Sequence, residues 1–306
     1  MSNEPEHYLT ITIEEGNEGE RLDTYLASVV QICSRSQLPQ YRIEVQQSGK
    51  PVKLSRRVRP GETYSVKYTE PQAPDIVPED IALPILYEDE DVVVIDKPQG
   101  MVVHPAHGNY SGTLVQGLLY HCGIREGHLS SENLRPGIVH RLDKDTSGVI
   151  ITAKHKKAQE YLASQFRRRK VKKVYYAVIK GRPPEQEGII DRQICRDRAH
   201  RKRFTVTESG GKTAITRYKL KRNLDGYSLL ALSPKTGRTH QLRVHCTSMG
   251  HPVLGDPIYA RRDSRYPDAT LMLHAFSLKI SLPGDREIHT FRAPLPERFS
   301  SFLGDR

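Results

Sequence analysis

Apolar positions along the chain recur with two periods, and each period predicts a different kind of element. Short apolar runs bounded by Gly, Pro or charged residues occur at Val92–Ile95 and Val149–Thr152, and such runs are typical of buried strands. In Lys156–Arg169 the apolar positions follow helical spacing, and arginines stand at the C-terminal end, where cations suit the helix dipole. This segment is predicted to be an amphipathic helix.

The second half of the chain continues the mixture of strands and helices. Lys173–Ile179 alternates, so that Tyr175 and Tyr176 are expected on opposite faces of a strand. Tyr227–Leu232 has the composition of another strand, and His240–Met249 has the spacing of a helix. The pattern therefore predicts a globular protein that contains both kinds of element.

Near the N-terminus the pattern predicts a smaller set of elements. Arg21–Val30 places its apolar side chains on one helical face, and Ser34 is a suitable N-cap for a second helix. Strands are expected after that, with turns at Gly49 and Gly61.

Charge and proline content divide the chain into four regions. Residues 1–17 form an acidic segment, and residues 18–68 are rich in Lys and Arg. Residues 69–80 combine prolines with acidic residues, which favours an extended linker. The remaining residues, 81–306, are long enough for a larger domain with its own core.

The net charge favours a nucleic-acid partner. The 306 residues include 47 Lys and Arg against 36 Asp and Glu, a formal charge of +11. The excess is concentrated in residues 21–69 and 141–203. A basic run can be a solvated helix face, but two basic stretches in separate regions favour binding to a polyanion.

Several other classes of protein are disfavoured. No apolar run approaches the ~20 residues of a membrane span, and the acidic start has no secretory apolar segment. The cysteines lie far apart with no CxxC pair, so neither a zinc ribbon nor a disulfide framework is expected. We therefore expect a cytoplasmic protein with no membrane partner, and no pattern indicates anything beyond a monomer.

Residues 18–68 contain three short motifs in order: Glu20-Arg-Leu-Asp-Thr-Tyr-Leu-Ala, Ser34-Arg-Ser-Gln-Leu and Gly49-Lys-Pro-Val-Lys. Together they resemble the S4 domain, a small RNA-binding module. Two positions depart from that pattern, Pro39 early in the second predicted helix and Ser48 where the family usually has Asn. The resemblance implies that four cations contact RNA phosphates: Arg35, Arg42, Lys50 and Lys53.

The densest reactive chemistry lies at the entrance of a predicted strand. In Gly137-Ile-Val-His-Arg-Leu-Asp-Lys-Asp-Thr-Ser-Gly-Val-Ile-Ile a polar block runs directly into an apolar run. Side chains at such a place can be held rigidly and still reach a cleft. From the residues alone, a salt-bridged turn capped by Asp145 or Thr146 is an equally good interpretation.

His140-Arg-Leu-Asp-Lys-Asp-Thr-Ser-Gly closely resembles the HRLD motif of the RluA/RluD family of pseudouridine synthases. Further blocks agree in order and spacing: Tyr87–Pro105, Lys173-Val-Tyr-Tyr-Ala-Val, Thr236-Gly-Arg-Thr-His-Gln-Leu-Arg-Val-His, Gly255-Asp-Pro-Ile-Tyr and Leu273-His-Ala. The resemblance implies an α+β fold, with a mixed, largely antiparallel sheet flanked by helices, preceded by the small S4-like domain.

The family resemblance also implies a reaction. It is the isomerisation of uridine to pseudouridine in structured RNA, with large-subunit ribosomal RNA as the expected partner. Uracil is detached from C1′, turned over and rejoined through C5, so the reaction needs no cofactor. Transfer RNA is the alternative substrate, and a non-catalytic RNA-binding assembly factor is the alternative function.

The resemblance assigns three catalytic residues. Asp143 is the carboxylate, which either attacks C1′ or removes the C2′ proton, and the sequence does not choose between the routes. Arg243 pairs with Asp143, since a guanidinium keeps a carboxylate ionised and fixes its side chain. Tyr175 stacks on the freed base and is a candidate to remove the C5 proton.

Three further residues are expected at the substrate. Leu273 forms an apolar wall of the base pocket, and His140 lies beside it as a hydrogen-bonding scaffold. Arg141 helps to fill the gap left by a flipped uridine, because a stacked base is not accessible to a side chain. Whether Arg141 points toward Asp143 depends on the loop conformation, which the sequence leaves open.

Other tempting motifs are rejected. Gly211-Lys-Thr resembles the end of a P-loop, but Val206 stands where that pattern requires Gly. The His pairs at 104/107 and 240/245 lack HExxH spacing, so no metal is expected. Asp143 and Asp145 are too close in sequence to flank a substrate bond as paired carboxylates.

Overall fold

The computed structural model describes residues 6–33, 35, 38, 41–69, 76–106, 108–124, 137–197, 199–200, 202–285 and 287–304. The chain divides into two compact units, Met1–Asp75 and Ile76–Arg306. The finer boundaries expected after residues 17, 68 and 80 stay predictions. Among the helices in these ranges, none has the length and apolar character needed to cross a membrane.

The first unit contains a helix and a four-stranded sheet. The helix and strands are β1 (Glu6–Thr12), α1 (Leu22–Ser28), β2 (Arg42–Gln47), β3 (Lys50–Pro51) and β4 (Thr63–Thr69). The antiparallel strands follow the order β1-β4-β2-β3, and the core includes Leu22, Tyr25 and Leu26 of α1. The helix predicted at Arg21–Val30 is confirmed with shorter bounds. The start of the second predicted helix, Ser34, and Pro39 lie outside the described residues.

A tight turn connects β2 and β3. Ser48 and Gly49 have φ values of 51° and 76°, and Gln47 pairs with Lys50 across the hairpin. Two central residues with positive φ are the mark of a type I′ hairpin turn. Asn adopts this left-handed conformation more readily than Ser does, which explains physically why Asn suits the position that Ser48 occupies.

The second unit contains the remaining elements. In chain order they are β5 (Ile85–Glu88), β6 (Val92–Lys97), α2 (Leu114–His121), β7 (Gly137–Ile138), β8 (Ser147–Ala153), α3 (Lys156–Arg167), β9 (Lys172–Lys180), β10 (Glu187–Asp191), β11 (Gln193–Arg196), β12 (Phe204–Thr207), β13 (Ile215–Leu224), β14 (Tyr227–Pro234), α4 (Gln241–Ser248), β15 (Leu273–Ser281), β16 (Ile288–Arg292) and α5 (Glu297–Leu303). The elements predicted from apolar periodicity are confirmed as β6, β8, α3, β9, β14 and α4.

One long sheet organises this unit. Its strands follow the order β10-β13-β14-β9-β15-β8-β6-β5, with β16 and β7 paired at β15 and β8. The pairing of β15 with β8 is parallel, and the other pairs in this sheet are antiparallel. The expected mixed, largely antiparallel sheet is confirmed.

Two apolar clusters pack against this sheet. One gathers the side chains of β6 and β8 with Leu162 of α3, and the other gathers side chains of β9 and β14 with Leu242 of α4. The loops that lead into β8, β9 and α4 are therefore anchored to elements with packed cores.

Close packing between β8 and β15 requires a glycine. Gly148 has a φ of 113°, and a Cβ built on it would overlap the backbone of Ala275 in β15. The approach holds the start of β8 against the centre of the sheet, directly after the polar loop.

We predict that Gly148→Ala lowers the free energy of unfolding by about 3 kcal/mol or more, because it combines backbone strain with a clash in the core. Gly250→Ala is the matched control: its φ is 82°, but nothing lies within 4 Å of the added Cβ. Strain alone should cost it about 1 kcal/mol. Urea unfolding measures both losses, and equal losses would contradict the close approach.

Candidate active site

The residues that the sequence singled out in the second unit line one cavity of ≈ 470 Å³. Its walls come from the loop between β7 and β8, from the end of α3 and the start of β9, and from the segment that leads into α4. The lining includes His140, Arg141, Asp143, Tyr175, Arg243 and Leu273. The structure thus brings together side chains that lie up to 133 residues apart, from His140 to Leu273.

The loop that carries Asp143 is fixed by a buried lysine. The Lys97 ammonium donates to the carbonyl oxygens of Pro98, Met101 and Lys144, at 2.9, 2.8 and 3.1 Å. Burial lowers the pKa of Lys97 to about 8. The bond to the Lys144 carbonyl ties the loop to Lys97 at the end of β6. This contact therefore helps to fix the position of the neighbouring Asp143 carboxylate.

Arg243 connects two carboxylates. Its Nε and Nη2 atoms donate to the two oxygens of Asp256, each at 2.7 Å, and its Nη1 atom lies 3.5 Å from Asp143 Oδ2. The fork to Asp256 is bidentate, which is the strongest arrangement of a guanidinium and a carboxylate. Asp256 sets the plane of the guanidinium and leaves one edge directed at Asp143.

This pair is deeply buried and well supported. The side chains of Arg243 and Asp256 are 4% and 0% exposed. Asp256 Oδ1 also accepts the backbone N–H groups of Ile258 and Tyr259, at 2.9 and 3.0 Å. Burial by itself lowers the pKa of Arg243, but the hydrogen bonds and charge of Asp256, with help from Asp143, raise it overall. The guanidinium therefore remains a fixed positive charge beneath Asp143.

Sequence reasoning assigned no role to Asp256. It lies within the quoted block Gly255-Asp-Pro-Ile-Tyr, so the signal was present without an interpretation. Gly255, with a φ of 71°, approaches the backbone of Thr270 closely. Only this fold of the loop brings Asp256 beneath α4.

His240 is a third group beside Asp143. Its Nε2 atom lies 4.0 Å from Asp143 Oδ2, and its Nδ1 atom lies 2.8 Å from the Tyr259 hydroxyl. The Tyr259 hydroxyl also accepts the backbone N–H of Phe204 at 2.9 Å, so it holds the His240 ring in place beside Asp143. His240 has a φ of 54°, a strained conformation for a residue with a side chain.

Tyr175 and Leu273 form the less polar part of the cavity. Burial raises the pKa of Tyr175, and the negative charge of Asp143 raises it further, so the phenol stays protonated at neutral pH. The neighbouring Tyr176 stacks on Phe276, with ring centroids 4.5 Å apart, and is not among the lining residues. The expected placement of the two tyrosines on opposite faces is confirmed.

His140 supports the loop from beneath. Its Nε2 atom accepts the backbone N–H of Ile151 at 3.0 Å, and its ring stacks on Phe166 with centroids 4.6 Å apart. Burial, with a smaller effect of the Lys173 charge, lowers the pKa of His140 to about 3. A neutral imidazole that accepts a strand N–H serves as a scaffold, and a proton on Nε2 would break the contact.

The charged lining of the cavity is strongly one-sided. Among the described residues that line it, Asp143 is the single acid, and the cations are Arg141, Arg167, Arg169, Lys173, Lys235, Arg238 and Arg243. Arg141 is exposed within the loop between β7 and β8. A surface with this charge attracts a polyanion, and Asp143 supplies its carboxylate. In the ranges that the structure describes, no group of three or more His, Cys, Asp or Glu could hold a metal ion.

The cations predicted to bind RNA in the first unit are exposed. Arg35 lies 3.8 Å from Asp23, and 59% of its side chain is accessible. Arg42 is on β2, Lys50 is on β3 after the tight turn, and Lys53 follows β3. Their role in binding stays a prediction.

Comparisons with known proteins point to one family. Residues 91–248 match the family model of RNA pseudouridylate synthase. A ribosomal large subunit pseudouridine synthase D of Borreliella burgdorferi is 42% identical, over 93% of this chain and 89% of that protein. An uncharacterized RNA pseudouridine synthase of Bacillus subtilis is 40% identical, over 96% of this chain and 97% of that protein.

A solved structure is also similar. Human RNA pseudouridylate synthase domain containing 1 has a TM-score of 0.58 and 29% sequence identity, and covers 71% of this chain and 85% of its own.

We predict that Asp256→Asn lowers the free energy of unfolding by about 3 kcal/mol, because it leaves a buried guanidinium without its main counter-charge. The control is Asp225→Asn, whose partner Arg265 is 52% exposed while Asp225 is 92% exposed. A surface pair of this kind should be worth at most about 1 kcal/mol. Denaturant unfolding measures both, and a loss at Asp256 no larger than at Asp225 would contradict the buried clamp.

Acid should destabilise the protein partly through His140. The pKa is 6.5 for a free imidazole and about 3 in the folded chain, so between these values the unfolded chain binds a proton that the folded chain excludes. Stability from this group is therefore present above pH 6.5 and is lost as the pH falls toward 3.

The His140→Phe variant keeps the ring stacking and removes the titration. We expect it to be less stable at pH 7, because the Ile151 N–H loses its acceptor, but to lose less further stability than the wild type between pH 6.5 and 4. Urea unfolding at several pH values measures the difference. Parallel pH profiles for the two proteins would show that His140 is not the titrating group.

Proposed function

The chain belongs to the RNA pseudouridylate synthase family as an RNA pseudouridine synthase of the RluA/RluD type, and we propose that it modifies uridines of large-subunit ribosomal RNA. The observation that carries the proposed chemistry is the position of Asp143 against Arg243: among the described residues that line the cavity it is the single acid, and the other charged side chains are Lys and Arg. The choice of RNA is supported by relatives named ribosomal large subunit pseudouridine synthase D, at 42%, 39% and 38% identity.

In the proposed mechanism Asp143 starts the reaction. In one route its oxygen bonds to C1′, and the electron pair of the C1′–N1 bond leaves with uracil. In the other it removes the C2′ proton, so that a C1′–C2′ double bond forms as uracil leaves. Both routes need a carboxylate that is held in one orientation, and the Arg243 guanidinium 3.5 Å away favours a fixed orientation of Asp143. The released uracil anion is stabilised by the surrounding cations.

Tyr175 is proposed to hold the free base while it turns over. Its ring offers a flat apolar face, and Leu273 offers an apolar wall opposite the charged lining. The C5 proton must leave after C5 bonds to C1′, and Tyr175 is a candidate to remove it: its phenol would give its own proton to N1 of the base, and the phenolate would take the C5 proton, which restores the phenol.

Access to the cavity requires that the uridine leave its stack. We propose that Arg141, which is exposed within the loop between β7 and β8, occupies the space that the base leaves. No step of the proposed reaction involves oxidation or a transferred group, so we propose that it needs neither a cofactor nor a metal. We further propose that the protein acts as a monomer in the cytoplasm, where ribosomal RNA is assembled.

We predict that Asp143→Asn abolishes pseudouridine formation while RNA affinity stays within about tenfold of the wild type, since the lost charge serves chemistry more than binding. The matched control is Asp145→Asn, two residues away in the same loop but not among the residues that line the cavity. It should keep turnover within about tenfold. Carbodiimide-blocked primer extension on unmodified ribosomal and transfer RNA measures product and maps its position.

Each outcome of the mapping is decisive. Sites in large-subunit RNA, absent with Asp143→Asn, would support the proposal, and sites confined to transfer RNA would replace the substrate. Product formed by Asp143→Asn would overturn the role of Asp143. If free RNA gives no product, immature ribosomal particles are the next substrate, and failure there as well would overturn the ribosomal assignment.

We also propose that the first unit is an S4-like RNA-binding domain. The exposed cations Lys50 and Lys53 flank the tight turn and the end of β3. If both contact phosphates, the Lys50→Gln/Lys53→Gln variant should reduce the salt slope of RNA binding by about 1.8 on duplex RNA. Filter binding at several salt concentrations measures the slope, and an unchanged slope would refute the proposed contacts.

A further inference from the structure

A second cavity, of ≈ 420 Å³, lies in the same unit as the catalytic cavity. It is formed by the C-terminal end of α3, the start of β9 and the adjoining ends of β15 and β16. Gln165 joins α3 to β15: its Nε2 donates to the Ser281 carbonyl at 2.7 Å, and its Oε1 accepts the Ser281 N–H at 3.2 Å. The floor is therefore a fixed part of the fold. We call this cavity the second groove.

One segment, residues 167–173, separates the two cavities. Along it the side chains alternate between them. Arg167, Arg169, Val171 and Lys173 line the catalytic cavity, while Arg168, Lys170 and Lys172 line the second groove. We call this segment the basic ridge. Neighbouring Cα atoms are only ~3.8 Å apart, so a chain molecule that reaches one cavity can contact the other across the ridge.

The second groove carries uncompensated positive charge. Its cations are Arg168, Lys170, Lys172 and, from β15, Lys279, and no Asp or Glu is among the described residues that line it. Within the described part of the chain, none of these four cations forms an ion pair. All four are exposed. Several solvated cations converging on one groove favour a ligand that carries several negative charges.

Exposed apolar side chains at the second groove indicate which kind of polyanion it binds. Tyr161 is 37% exposed and Ile288 is 69% exposed, and both line the groove. A row of cations beside an accessible aromatic ring is the arrangement that binds single-stranded nucleic acid, because the phosphates meet the cations and a base stacks on the ring. Inorganic phosphate has no base that could stack on the Tyr161 ring.

The backbone of the basic ridge indicates that its side chains are functional. Arg169 follows the end of α3 with a φ of 56°, and its N–H donates to the Phe166 carbonyl. Helices commonly end on such a left-handed residue, and Gly is the residue that adopts the conformation without strain. The chain has an arginine there instead, and its side chain lines the catalytic cavity.

We propose that single-stranded RNA adjoining the target uridine crosses the basic ridge and lies in the second groove, with its phosphates against Lys172 and Lys279 and a base on Tyr161. This inference rests on the proposed function, since it extends the RNA that enters the catalytic cavity. It assigns the second groove to substrate binding and gives it no part in the chemistry.

The test compares three variants of the full-length protein with the wild type. Lys172→Gln/Lys279→Gln removes two groove charges, and Tyr161→Leu removes the ring. Lys219→Gln/Lys221→Gln removes two charges from β13, outside both cavities. The probe is an unmodified transcript of large-subunit ribosomal RNA. Filter binding at several salt concentrations gives affinity and salt slope, and pseudouridine formation gives kcat and KM.

The two groove variants should differ in kind. Lys172→Gln/Lys279→Gln should reduce the salt slope by about 1.4, since each phosphate contact on a single strand contributes ~0.7. Tyr161→Leu should weaken binding about fivefold or more with no change in slope, because stacking releases no counterions. In both variants KM should rise while kcat at saturating RNA stays within about twofold of the wild type.

Failure of this inference can be distinguished from failure of the proposed function. If the wild type forms product but Lys172→Gln/Lys279→Gln matches Lys219→Gln/Lys221→Gln in affinity and slope, the second groove does not bind RNA. A loss of kcat without a rise in KM would also overturn the assignment. If the wild type forms no product on any RNA, the proposed function fails, and the binding slopes alone decide about the groove.

Discussion

The buried ion pair between Arg243 and Asp256 is the interaction on which the candidate active site depends. Taking two charges out of water is costly, and the pair is stable because Asp256 accepts both forks of the guanidinium and two backbone N–H groups as well. All freedom of the guanidinium plane is thereby removed. The remaining N–H edge of Arg243 is directed at Asp143. The buried Arg243–Asp256 pair therefore fixes the direction of the partly exposed Arg243–Asp143 pair.

The loop that carries Asp143 is held by a second set of specific contacts. Lys97 donates to three carbonyl oxygens, and the Gln99 amide donates to the carbonyl oxygens of Asp145 and Leu271 at 2.8 and 3.0 Å. Gln99 thus joins the loop to the residue beside the start of β15. A carboxylate placed between two fixed supports needs little reorganisation when charge develops on a sugar or a base, which is the usual source of catalytic power in enzymes.

Periodicity predicted the elements that expose one face and bury the other, such as α3 and β9. It missed α2, because Leu114–Leu119 is buried throughout and shows no polar face. The candidate catalytic and substrate-binding residues of the second unit were identified by motif resemblance, and the structure brings them to one cavity. The roles of Asp256 and Lys97 could not be predicted, since Lys97 meets Lys144 across 47 residues and looks like an ordinary surface lysine in the sequence.

The most direct test of this account replaces Arg243 by lysine and follows the hydrogen at C5. RNA labelled with tritium at C5 of uridine releases the label when C5 bonds to C1′. Arg243→Lys keeps the positive charge but cannot fork to Asp256 and contact Asp143 together, so the account predicts a loss of tritium release of at least about 100-fold in a protein that remains folded by circular dichroism. Release at the wild-type rate would contradict the claim that the guanidinium geometry orients Asp143.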